Sequence, residues 1–182
     1  MRVSLGSAVL VAGVVAGYVT GLQSLGRAGQ QTVAGGSRWT QELVNPKDTY
    51  ALYAVGHFRS SGLLPPSRAA LYYEREVDED GNGLRGSCSY QLSGHEPSAR
   101  WWSISVAPAG QETPTASFTA RDAVMTSDDE LSLVVSRRAA PGNWLQVPDN
   151  GNLRVMLVLN EPYAVGKTPA PPLPSLKKVG CE

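Results

Sequence analysis

The chain has 182 residues, with Lys plus Arg and Asp plus Glu at 16 each, so its formal net charge is zero. That length holds one domain of ordinary size plus an appendage, and the charge balance excludes the long-range attraction expected of a nucleic-acid binder. An apolar share of 42% with 19 Gly and 13 Pro points to short elements joined by many turns, a β-rich chain rather than a helical one.

From Leu5 to Leu22 the sequence carries no charge, which is long enough to cross roughly 30 Å of hydrocarbon as a helix. Arg2 before this run also fits the start of a cleaved signal peptide, whose apolar region is typically about 7–15 residues. The longer run here, with its small-x-small candidate Thr32-Val33-Ala34 far beyond the end, favours a retained single-pass anchor over residues 1–22. Gly13, Gly17 and Gly21 recur every fourth residue and share one helix face, which would let a second copy approach closely as a homodimer. Residues 23–44, rich in Gly, Gln, Ser and Ala, read as a linker spacing the domain from the bilayer, and the domain proper is expected over 45–182.

Asn45-Pro46 reads as a helix cap and first turn, with Leu52, Val55 and Phe58 facing the core until Gly62-Leu-Leu-Pro-Pro66 ends the element. From there the period becomes two. Leu71–Val77 is a strand, Asp78–Gly83 a turn, and Gly86–Leu92 the returning strand of a hairpin. Trp102, Ile104 and Val106 alternate with Trp101, Ser103 and Ser105. Leu131, Leu133 and Val135 repeat the pattern, and Leu153, Val155, Leu157 and Leu159 form its longest stripe. These strands predict a mainly β fold, an antiparallel sandwich or jelly roll with one or two short helices, preceded by the transmembrane helix. Thr168 to Pro174 is expected as a stiff arm along the surface.

Cys88 and Cys181 are the only cysteines. In an exported domain such a pair is expected to form a disulfide tying down the C-terminal arm, with two free thiols as the alternative. Asp78-x-Asp80-x-Asn82-Gly83 copies the first half of a calcium loop, but Ser89 stands where the bidentate Glu belongs, so a plain turn is expected and no metal. His57 and His95 are the only imidazoles and neither sits in a nucleophile elbow. Without a Walker A or Gly-x-Gly-x-x-Gly motif, no cofactor is expected.

Trp101, facing away from Trp102, is expected to pack under a loop or a second layer, with stacking on a sugar or another flat ligand as the alternative, and Arg100, Trp101, Trp144 and Tyr90 are the ligand-like residues. The pattern Asp78…Asp80-Gly81…Leu84…Gly86…Cys88…Tyr90, then Ala99-Arg-Trp-Trp-Ser-Ile104, Asn143-Trp-Leu145 and Leu173-Pro174…Cys181, resembles the domain of unknown function 1214 family over Tyr50 to Glu182. The resemblance implies a jelly-roll β domain of a bacterial envelope protein and carries over no catalytic residue. With the signal-like start and the cysteines, it places the domain in the periplasm, held by the inner membrane. The expected function is a non-catalytic module binding an envelope protein or small ligand. One alternative is an enzyme using His57 or His95 as base, and another is a spacer assembled through the glycine face.

Overall fold

In a computed structural model of the protein, residues 5–27, 30–32, 37–42, 69–111, 113–148, 151–163 and 172–181 are described. Among them are one helix, α1 (Leu5–Arg27), and the strands β1 (Gln30–Thr32), β2 (Thr40–Glu42), β3 (Ala70–Arg75), β4 (Cys88–His95), β5 (Ala99–Pro108), β6 (Ala116–Thr119), β7 (Glu130–Ser136), β8 (Asn143–Gln146), β9 (Leu153–Pro162) and β10 (Ser175–Cys181). One sheet runs β1-β2-β3-β9-β5-β6 and the other β10-β4-β7-β8. The fold is therefore mainly β, as the alternating stripes predict. The expected helix from Asn45 lies outside the described residues.

The ladder of β5 and β9 pairs Ala99 with Pro162 at one end and Pro108 with Leu153 at the other. It forms there because both strands alternate apolar and polar residues with the same phase. Trp102, Ile104 and Val106 thus share a buried face with Leu153, Val155, Leu157 and Leu159. The second sheet adds Tyr90, Leu92, Leu131, Leu133, Val135, Leu145 and Leu176 to the same apolar cluster. Each large side chain buried in it contributes about 1.5–3 kcal/mol against the entropy lost on folding.

Four expectations need correction. Asp78–Gly83 does not close a hairpin: β3 lies in the six-stranded sheet and β4 in the four-stranded one, and only the isolated bridge Val77–Gly83 spans the turn. The turn is a crossover, which hydrophobic alternation cannot distinguish from a hairpin. The pairing is not wholly antiparallel either, since β7 and β8 are parallel. Only six residues, 137–142, join them, far fewer than a usual parallel crossover. The overlap runs from Leu133 paired with Asn143 to Ser136 paired with Gln146, so the chain doubles back only about 10 Å.

Third, the expected surface arm over Thr168 to Pro174 ends buried at Pro174 and gives way to a strand, while its residues 168–171 lie outside the described residues. β10 joins β4 from Ser175 opposite Ser93 to Cys181 opposite Cys88, with Leu176 buried and a register shift between Lys178 and Gly180. Gly94 (φ 157°) is required where Pro174 crosses, because a Cβ there would sit 3.1 Å from the Pro174 Cα. Fourth, the stretch 23–44 is no simple linker. α1 continues to Arg27, β1 and β2 extend the sheet beyond β3, and Trp39 is 1% exposed within the core.

Cys88 and Cys181 form a disulfide across a separation of 93 residues. Replacing both with Ser is expected to cost up to about 4–5 kcal/mol in the chain-entropy account. Urea midpoints of the two proteins measure this, and matching midpoints would show that the bridge does not constrain the unfolded chain.

Candidate functional site

The four ligand-like residues do not converge. Arg100 is exposed and paired with exposed Glu161 at 3.0 Å, a surface ion pair of small energetic weight. Trp101, 40% exposed, stands on the face of the large sheet turned away from the core. Tyr90 points into the core, its hydroxyl accepts the Arg85 amide proton at 2.7 Å, and burial pushes its phenol pKa up. Trp144 is half-buried on the outward face of the small sheet, its indole N–H donating to the Ser136 carbonyl at 3.1 Å. The two sheets meet at a shared core, so Trp101 and Trp144 point away from it on different sheets.

A cleft of about 370 Å³ opens elsewhere, lined by Thr115, Ala116, Gln146, Val147 and Pro148. It lies between β6 and β8, each paired on one side only among the described residues. Its volume falls in the lower range for small-molecule sites. Among the described residues the lining offers a hydroxyl, an amide and apolar surface and no titratable side chain, a set that suits a neutral ligand. Pattern reading missed it because no aromatic or charged residue marks it. The available signal was that Ala116-Ser-Phe-Thr119 and Asn143-Trp-Leu-Gln146 are strands without a charge.

His95 does not complete this site. His95 is exposed and pairs with Glu130 at the start of β7, whereas the cleft residue Gln146 pairs with Ser136 at the other end of that strand. His57 lies outside the described residues. Asp78 is buried, and one of its carboxylate oxygens accepts the amide protons of Asp80 at 3.0 Å and Asn82 at 2.8 Å. Its lone pairs thus close the turn on its own backbone instead of facing a cation. Among the described residues no group of three or more His, Cys, Asp or Glu could hold a metal.

The most polar buried cluster ties the chain together. The Arg75 guanidinium lies 5.8 Å from the Trp39 ring centroid and donates to the Val77 carbonyl at 2.6 Å and to Glu79 at 2.9 Å. The same Glu79 oxygen accepts the Leu176 amide at 3.0 Å, and the Trp39 indole donates to the Pro174 carbonyl at 2.7 Å. Strands β2, β3 and β10 are locked by these contacts. On α1, a Cβ built at Gly13, Gly17 or Gly21 meets nothing within 4 Å.

Against known families, the profile described as "Protein of unknown function (DUF1214)" matches residues 69–164, more than half of the chain. The chain belongs to the DUF1214 family. The match begins at β3 and ends just after β9, so β2 with Trp39 and β10 with Cys181 flank the matched DUF1214 segment. The VPA0106 protein from Vibrio parahaemolyticus has a similar fold, with a TM-score of 0.61 and 18% identity over 98% of this chain and 47% of that one. An uncharacterized protein from Burkholderia cenocepacia aligns with a TM-score of 0.48 and 19% identity over 61% of this chain and 29% of that one. This chain thus spans less than half the length of either solved chain. No curated protein matches it.

Asp78 and Glu79 both titrate below their ordinary values. Burial opposes ionisation at each, and is outweighed at Asp78 by the Asn82 and Asp80 hydrogen bonds and at Glu79 by Arg75 and the Leu176 amide. A carboxyl with a depressed folded pKa adds stability that is complete above its unfolded value, about 4, and is lost as pH falls through the folded value. Urea midpoints are therefore expected to fall below about pH 4, and to fall less steeply in Asp78→Asn. That variant is expected to lose about 1–3 kcal/mol at neutral pH as turn amides lose their charged acceptor. A variant with an unaltered pH slope would remove Asp78 from this role.

Proposed function

We propose that this DUF1214 protein is a single-pass, membrane-anchored envelope protein that presents a β-sandwich outside the cytoplasm and binds its target without catalysis. The observation that carries the anchoring is the exposure of α1. Val9, Leu10, Val11, Val14, Val15, Tyr18 and Val19 are all exposed, and steps of about 100° spread them round most of the helix. A soluble helix hides one apolar stripe against its domain, whereas this one leaves nearly every face uncovered and needs an apolar surrounding.

Among the described residues no helix is long and apolar enough to cross a membrane. Within α1 the described side chains are Gly6 and Val9–Gly21. The whole helix has 23 residues and a length of about 35 Å, and its sequence is uncharged from Leu5 to Leu22, which supports the spanning reading. The disulfide supports an oxidising compartment. Binding is assigned to the cleft between β6 and β8, whose neutral lining suits recognition, in place of the Trp101 and Trp144 surface.

The full chain expressed in a bacterium is expected in the membrane pellet after alkaline carbonate washing, and a C-terminal alkaline phosphatase fusion is expected to be active. Val11→Arg with Val15→Arg is expected to release it, each Arg costing about 2.5–3.5 kcal/mol at mid-bilayer. Wild-type protein in the wash would end the anchored reading, and an inactive fusion would end the periplasmic one.

A further inference from the structure

Strand direction fixes where α1 joins the domain. Gln30 of β1 is opposite Glu42 of β2, and β2 runs along β3 with Thr40 opposite Glu74 and Gln41 opposite Tyr73. The first residue of β1 therefore points to the end of the large sheet at which β3 begins, β9 finishes and β5 starts. Only Ala28 and Gly29 separate Arg27 of α1 from Gln30, so the helix end lies within about 11 Å of the sheet.

The exposed apolar side chains of the domain gather at that same end. Outside α1, the large exposed hydrophobics among the described residues are Trp101, Val124, Tyr163 and Val179. Trp101 is at the start of β5, and Tyr163 follows β9 with its amide bonded to the Ser98 carbonyl. Val124 lies in the connection from the end of β6 to the start of β7, which crosses this end because Thr119 faces Ser103 and Glu130 faces His95. Its backbone is clamped by Asn143, whose side chain accepts the Val124 amide proton at 2.9 Å and donates to its carbonyl at 2.7 Å. The valine side chain is thereby turned to solvent, 72% exposed, with Tyr163 at 66%. Only Val179 lies toward the opposite end, beside Cys181.

We propose that this end of the domain, through Trp101, Tyr163 and Val124, rests in the interfacial layer of the bilayer that α1 spans. The proposal depends on the anchored reading of α1. A helix tethered by two residues cannot hold the domain away from the headgroups, and the aromatics it brings to them are the types that partition there. The connection before β7 carries Arg121 against Asp122, Asp128 and Asp129, Glu130 opens that strand, and Arg100 beside Trp101 is paired with Glu161, so acidic groups outnumber basic ones at this end. The contact is therefore apolar and aromatic, made with electrically neutral headgroups, and anionic lipid does not strengthen it.

The full chain would be reconstituted in phosphatidylcholine vesicles, floated on a density gradient, and its tryptophan emission quenched by phosphatidylcholine brominated near the headgroup end of the acyl chain. Trp39 and Trp102 are buried and Trp144 sits on the other sheet, which leaves Trp101 as the quenchable residue. Flotation with quenching that disappears in Trp101→Phe, and weakens in Val124→Asp, is the expected result. Flotation with no quenching, or with quenching that neither substitution alters, overturns the interfacial contact and leaves the anchor standing. A chain that fails to float overturns the anchor, and the contact with it. Stronger quenching when phosphatidylglycerol is added would overturn the neutral-headgroup contact in favour of an electrostatic one.

Discussion

The long antiparallel ladder between β5 and β9 is the contact on which the domain depends. Its inward residues Trp102, Ile104, Val106, Val155, Leu157 and Leu159 supply the large sheet's half of the core, and those inward positions set the register of β3 and β6 on either side. A one-residue slip would turn the whole stripe outward, so register and burial fix one another. The same ladder is buried on its other face at Ser105, Ala107 and Met156, beside the Arg154–Glu74 pair at 3.3 Å. The features on which the proposals rest therefore lie at the margins: the cleft along one side, the exposed aromatics at one end, the disulfide where β10 meets β4.

Most of the core was legible in sequence because period-two alternation reports burial directly. The alternation assigns the inward residues of β5, β7 and β9 and the opposed directions of Trp101 and Trp102, but not the burial of Ser105, Ser136 and Met156 on the other face. Partner choice was not legible, because alternation looks the same whether the next strand pairs beside it or joins another sheet. That is why the Asp78–Gly83 turn reads as a hairpin and why β10, beyond the expected arm, goes unread. Trp39 was lost for a different reason. It stands alone in a polar, glycine-rich stretch, and its place in the core depends on the Pro174 carbonyl 135 residues away. The cleft is marked only by the lack of charge in its two edge strands, which lie apart in sequence and give no hint that they meet.

The family match covers the strands from β3 to β9, and the flanking strands contain much of what holds this chain together. Trp39, Pro174, Leu176 and Cys181 lie outside the matched residues, yet they close the core and the small sheet. A domain cut to the matched segment would lose both the partner that covers β4 and the indole over Arg75.

The unequal edges of the small sheet bear on how copies of the domain behave when crowded together. β10 presents exposed Lys177 and Lys178 and a break in register at its outer side, devices that discourage strand-to-strand stacking. β8 at the other edge has no charge and no break, and β6 beside it is likewise neutral. Self-association at high concentration is thus polarised toward a single side. A lysine placed on β8 would be the economical way to keep the protein dispersed, at the cost of altering the cleft that side encloses.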